Sequence, residues 1–307
     1  MLQPYTNKLI DNLSKTITSQ KEPIKIDIVL DGLSFNGSYH YHVGALFFLK
    51  EMEKRNYIKI QKMSCSNISS IIALLYFIDE LETIPKLYNV GKDHFTKNRN
   101  LFSIQQFHHL LKDKLLKDKL THINNRLFIS YNNVKTGKKR VKSVYKNRHD
   151  IFTTILKSCY VPYLIDGNMA YNNKYIGGFT PYIFKKEQNK EINTKILYLD
   201  LFSKMWNEQP NEKTTFQRNL AGLLDIHDFF IKQTNTSMCS YIDDWTLCNK
   251  AWFFSKYILE KIFVIILQVI LYVKNLFPFE CKNSVLCDLT NKIIKEIINT
   301  LAQFYLI

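Results

Sequence analysis

The amino-acid sequence predicts an α/β fold with a mainly parallel central sheet and a helical C-terminal extension. Three observations carry that reading. Residues 24–81 run strand, loop, helix, strand, loop, helix, an order that builds a parallel sheet with functional loops at the carboxyl ends of its strands. A further buried-strand pattern, KILYLDL, follows at 195–201. From about residue 210 onward the pattern is helical.

Each element has its own signal. Residues 1–23 are polar with helix-like spacing at Leu9, Ile10 and Leu13, and Pro23 punctuates them. IKIDIVLDG (24–32) is a buried strand rich in β-branched residues, and YHYHVGALFFLKEMEKRN (39–56) a helix. Residues 58–63 form the next strand, and a long apolar helix pattern runs from Asn67 to about Leu81. Residues 82–125 are charged and helical. Residues 127–134 and 139–145 pair as a hairpin around Gly137, and 149–159 is a helix. No repeat or flexible linker interrupts the chain. It divides into an N-terminal segment (1–23), a main domain (24–205) and a helical extension (206–307).

With 307 residues, 46% of them hydrophobic and 22% charged, the chain can bury a substantial core, which excludes bulk disorder. The net charge of +15 suits phosphate-bearing partners such as anionic membrane or nucleic acid. Its densest cluster is KTGKKRVKSVYK, 135–146, on the hairpin. No nucleic-acid module accompanies it and aromatics are not interleaved with it, so nucleic acid is not an expected partner. The six cysteines (Cys65, Cys159, Cys239, Cys248, Cys281, Cys287) form no CxxC pair and no zinc pattern. Free thiols in a reduced, intracellular, cytoplasmic protein are expected, with no metal and no cofactor. No signal peptide is read at the start. Residues 251–277 are aromatic and apolar but carry Lys256, Glu260, Lys261 and Lys274, so they fall short of the roughly 18–20 apolar residues of a spanning helix. They suit a core helix or an interfacial one, which would make the protein a peripheral membrane protein.

Two loops hold the candidate chemistry. The first, DGLSFNG (31–37), joins a strand to a helix start, where glycine-flanked backbone N–H groups bind anions and would form an oxyanion hole in an acyl hydrolase. The second, SCSNIS (64–69), puts Ser66 at a strand-to-helix corner, the place of a serine nucleophile. The glycines of a GxSxG elbow are absent, with Ser64 and Ile68 at those positions, and a plain helix cap by Ser66 or Asn67 is the alternative.

In order and spacing these motifs resemble the patatin-like phospholipase family over roughly 24–201. LDGLSFNG is similar to the family's oxyanion loop (Gly32, Leu33, Ser34, Asn36, Gly37), HVGAL to the start of its next helix, and SCSNIS to its GxSxG corner. ILKSCYVPYL (155–164) is similar to its AS-x-x-P stretch, and YIGGFTPYIF, with Gly177 and Gly178, to its Asp-Gly-Gly motif. The resemblance implies a three-layer sandwich and lipid degradation by a Ser–Asp dyad without histidine, in which aspartate orients the serine and takes its proton. Ser66 falls at the nucleophile position. Ile176 falls where the aspartate is expected, and isoleucine takes no proton. Ser34 replaces a glycine and Asn36 a basic residue.

Other groups near these motifs read as structural. Asp166-Gly167 is a turn, and Asp31 a brace for the loop. His40 and His42 pack near the helix start, and His108 and His109 lie on a surface helix. Asp200 ends a strand at the same sheet edge. The expectation is a patatin-like lipid acyl hydrolase, impaired or inactive for want of its aspartate. The alternative is a catalytically dead pseudoenzyme that binds phospholipid or an anionic membrane surface.

Overall fold

A computed structural model describes residues 2–17, 22–32, 38–98, 100–101, 104, 107, 109, 111, 114–115, 117–185, 194–201, 214–276, 292, 296 and 300. The chain starts with α1 (Gln3–Ile17), then β1 (Ile24–Asp31), α2 (Tyr39–Lys54), β2 (Ile58–Ser66), α3 (Ser69–Phe77), α4 (Ile84–Asn98) and α5 (Lys117–Ile123). A hairpin of β3 (Leu127–Asn133) and β4 (Lys138–Lys142) follows, then α6 (Arg148–Cys159), β5 (Tyr175–Gly177) and β6 (Lys195–Asp200). The chain continues through α7 (Thr215–Lys232), β7 (Cys239–Tyr241) and α8 (Leu247–Leu276).

The seven strands among the described residues form one sheet in the order β4-β3-β2-β1-β6-β7, with β5 added to β3. The four central strands, β3, β2, β1 and β6, are parallel, and β4, β5 and β7 join antiparallel. The sheet is therefore mixed, parallel at its centre and antiparallel at its margins. β2 occupies one side of β3 only as far as Ser66↔Ser130, and β5 takes up that side from Tyr131↔Gly177 onward. That succession brings residues 175–179 to the end of β2.

Alternate strand residues supply two cores, as the two-residue period of a strand dictates. Ile26, Ile28 and Leu30 of β1, with Leu197 and Leu199 of β6, face the large core under α1, α2, α3 and α7. Val29, Ile196 and Tyr198 face the other way, onto Phe184, Trp245 and Phe253. Helices, sheet and this second cover are compatible with a three-layer sandwich. Ile10 and Leu13 of α1 are fully buried in the large core. α7 is bound in more closely still. A Cβ at Gly44 would lie 1.8 Å from the Asn219 carbonyl oxygen, and one at Gly222 2.0 Å from that of Tyr41. Only glycine lets α2 and α7 cross at that distance.

The strand signal of 58–63 extends to Ser66, so Ser66 belongs to β2. The helix expected from Asn67 begins at Ser69 and ends at Phe77. No helix among the described residues is long and apolar enough to cross a membrane. Cys65, Cys159, Cys239 and Cys248 are free thiols, whereas Cys281 and Cys287 lie outside the described residues.

Candidate functional site

The corner between β2 and α3 is built around Asn67. Its φ of +53° is the left-handed conformation, which Asn adopts more readily than most residues with a Cβ. Its N–H donates to Ser158 Oγ at 2.9 Å. Its carbonyl accepts from Ser70 Oγ at 2.6 Å and Cys159 Sγ at 3.1 Å. Ser158 Oγ in turn donates to the Ser130 carbonyl at 2.8 Å. The ILKSCYVPYL stretch therefore clamps the corner through Ser158 and Cys159. Neither Ser66 nor Asn67 caps α3 with its side chain.

Ser66 is fully buried at the end of β2, one residue before the left-handed position. Its Oγ donates to the Phe179 carbonyl at 3.4 Å, and no carboxylate or imidazole hydrogen-bonds to it among the described residues. Ile176 is 1% exposed and packs with Val134, Tyr160, Val264 and Leu267. It is an apolar core residue, at the position where the resemblance leads us to expect an aspartate. Gly177 and Gly178 pass close to other backbone. A Cβ on Gly177 would stand 2.6 Å from the Ser158 carbonyl, and one on Gly178 3.1 Å from that of Ser130.

Of the loop expected to supply an oxyanion hole, Gly32 is described and Leu33, Ser34, Phe35, Asn36 and Gly37 lie outside the described residues. Gly32 presses on the corner, since a Cβ there would lie 2.0 Å from the Ser66 carbonyl oxygen and 2.7 Å from Ser69 Oγ. A side chain at 32 would therefore drive the two loops apart.

His42 is joined to the same corner. Its Nε2 lies 3.1 Å from the Leu199 carbonyl, an acceptor only, so Nε2 carries the proton. Its Nδ1 is then left to accept from Ser69 Oγ at 3.1 Å. Burial lowers the His42 pKa to about 4, so the ring is neutral at pH 7. His40 is likewise lowered to about 4 by burial and pairs with Asn219 Oδ1 at 3.1 Å. Asp166 accepts from the Tyr160 hydroxyl at 2.5 Å and from the Asn168 N–H at 3.0 Å, as a turn brace does. His109 is exposed, and His108 lies outside the described residues.

The sequence showed Lys256 and Glu260 inside an apolar helix but not the partners that α8 brings them to, over the carboxyl edge of the sheet. Lys256 Nζ donates to Asp31 Oδ2 at 2.8 Å and to Asp200 Oδ1 at 2.9 Å, and the Tyr198 hydroxyl donates to Asp31 at 2.5 Å. Burial pushes the Lys256 pKa down, but the two carboxylates outweigh it and hold it above the ordinary lysine value. One turn on, Glu260 is 1% exposed. Its carboxylate accepts from Asn132 Nδ2 at 2.6 Å, the Phe179 N–H at 3.1 Å, the Thr180 N–H at 3.2 Å, the Thr180 hydroxyl, and Lys139 Nζ at 3.2 Å. Burial lowers the Lys139 pKa, and the Glu260 charge opposes that shift. The signal for this seat was two charges four residues apart inside an apolar helix.

The edge where a parallel sheet ordinarily opens to substrate is thus spanned by paired charges. The corner beneath it holds a buried serine without a base. No group of three or more His, Cys, Asp or Glu among the described residues could hold a metal ion. No protein-family model matches the chain, and comparison with curated proteins and with solved structures found no match.

Proposed function

We propose that the chain is a catalytically silent patatin-like protein that binds a phospholipid surface without cleaving it. The observation that carries this reading is the corner itself. Its left-handed seat belongs to Asn67, whose amide is no nucleophile, and Ser66 stands one residue away with only a carbonyl as partner. Ile176 supplies no base. A serine hydroxyl without a base is a weak nucleophile at neutral pH, and general-base help is worth about 10²–10⁴-fold.

Hydrolysis of a short-chain fluorogenic ester and of mixed phospholipid vesicles tests the reading. Wild type and Ser66→Ala are expected to give the same background rate. Ile176→Asp alone is expected to stay at that rate, and a gain is expected only when Asn67→Ser accompanies it. A wild-type rate well above that of Ser66→Ala would overturn the proposal and restore a lipid acyl hydrolase.

One observation favours a second reading, a slow acyl hydrolase with a displaced dyad. Ser69 Oγ donates to a neutral His42 whose other nitrogen is fixed by the Leu199 carbonyl, the order of nucleophile, base and orienting group. Both side chains are fully buried, Ser69 against Gly32, so a substrate reaches the pair only if the corner rearranges. Activity lost in Ser69→Ala but kept in Ser66→Ala would select this reading.

A further inference from the structure

We propose that the outer face of α8, together with the β3–β4 hairpin beside it, is the surface that docks the protein on an anionic phospholipid bilayer. This rests on the reading of a lipid-binding chain and names the site of that binding.

α8 is an amphipathic helix turned inside out. Two of its charged residues, Lys256 and Glu260, face the protein, whereas Phe254, Ile258, Ile262, Ile265, Val269 and Tyr272 face solvent. The last five recur at i, i+4, i+7, i+11 and i+14, which draws one stripe along a helix of 30 residues, about 45 Å long. Ile265 and Val269 are each 56% exposed, and Tyr272 66%. Single exposed apolar residues are ordinary on a protein surface, but a continuous stripe marks a contact surface.

Charge decides what the stripe contacts. Glu260 is the only acidic residue between 247 and 276, and it is buried, so the exposed face of α8 carries no carboxylate. The hairpin adds cations at one flank. Lys261 Nζ donates to the Gly137 carbonyl at 3.3 Å, and the Gln268 side chain lies against Gly137. Lys135, Lys138 and Arg140 of that hairpin are exposed, and no acid occurs between 127 and 149. Asp243 and Asp244 precede the helix. An apolar stripe bordered by cations and free of acids matches a bilayer with anionic headgroups, where apolar groups enter the acyl boundary and lysines stay at headgroup level. Trp252, Tyr257 and Tyr272 are the aromatic types that collect at that level.

Co-sedimentation of the full chain with phosphatidylcholine vesicles containing about one-third phosphatidylserine tests the proposal. Wild type is expected to bind at low salt, to bind less as salt rises, and to bind poorly to phosphatidylcholine alone. The variant Ile262→Glu/Ile265→Glu/Val269→Glu is expected to lose vesicle binding by more than about tenfold. Each of Lys135→Glu and Lys138→Glu is expected to lower it about fivefold or more. Equal binding by wild type and the triple variant would overturn the assigned face and leave the lipid-binding reading standing. Absence of wild-type binding at low salt would end both. A homodimer in light scattering that the triple variant dissociates would make the face a self-association surface and overturn the proposal. A fall in Tm of the triple variant with unchanged vesicle binding would assign the face to residues 277–307 of the same chain, also against it.

Discussion

The corner at Asn67 and the seat of α8 face one another across the carboxyl edge of the sheet, and they treat buried polar groups in opposite ways. At the corner, Ser66 Oγ makes one long hydrogen bond to a carbonyl, and Ile176 is apolar. At the α8 seat, Glu260 accepts from five donors, and Lys256 is held between two carboxylates. A neutral hydroxyl tolerates thin company because its burial is cheap, whereas a buried charge survives only with full pairing. The buried charges of the carboxyl edge thus gather where α8 attaches and not at the corner. That contrast can be broken or sharpened by substitution.

The largest effect is expected at the α8 seat. Glu260→Ala leaves Lys139 buried without its carboxylate, and losing one partner of a buried pair costs about 3–5 kcal/mol. Urea unfolding measures it, and a loss below about 1 kcal/mol would show that the seat is not what holds α8. Lys139→Met/Glu260→Leu should recover much of the loss, since an apolar pair of similar volume leaves no charge stranded.

A pH effect of intermediate size is expected from His42. Its folded pKa, about 4, lies below the unfolded value of 6.5. The unfolded chain therefore binds the extra proton between those values, and stability falls as pH drops from about 6.5 to 4. The drop amounts to on the order of 3 kcal/mol, full below about pH 4 and absent above about pH 7. His40 adds a drop of the same sign in the same window. Unfolding free energies of wild type and His42→Gln at pH 7 and pH 4.5 measure it. An unchanged pH slope in the variant would show that His42 is not a buried neutral base.

The smallest effect is expected at the corner. Ser66→Ala removes one hydrogen bond at 3.4 Å and leaves the Phe179 carbonyl without that donor, so a loss of about 1 kcal/mol or less is expected. A much larger loss in thermal unfolding would mean that the corner, too, depends on its polar side chains.

Much of the fold was legible in the sequence because its period changes from two to 3.6 where the elements change. β1, α2, the hairpin, α6 and β6 stand within a few residues of their sequence signals. β7 and the pairing of β5 with β3 were not legible, since three-residue strands carry no period and their partners are distant in sequence. The sequence placed Ser66 at a strand-to-helix corner, where the structure has it, but the residue on which the corner turns was not legible. That is a fact of backbone conformation, and its one sequence signal was an asparagine, the residue type best able to stand in for glycine at positive φ. Lys256 and Glu260 read as flaws in an apolar helix because a single helix pattern does not show which charges find partners across the fold.

The distance along the chain between Asp31 and Lys256 also sets an order of events during synthesis. The two residues are 225 positions apart. At about 5–20 residues per second, β1 leaves the ribosome on the order of 10–45 s before its lysine does. Until α8 emerges, Asp31 and Asp200 lack the lysine that pairs them, and Lys139 lacks its carboxylate. α8, which begins four-fifths of the way along the chain, closes that edge. A transcript cut short before residue 247 would yield a sheet whose interior charges have no counterions, a product marked for the chaperones and proteases that survey unfinished chains.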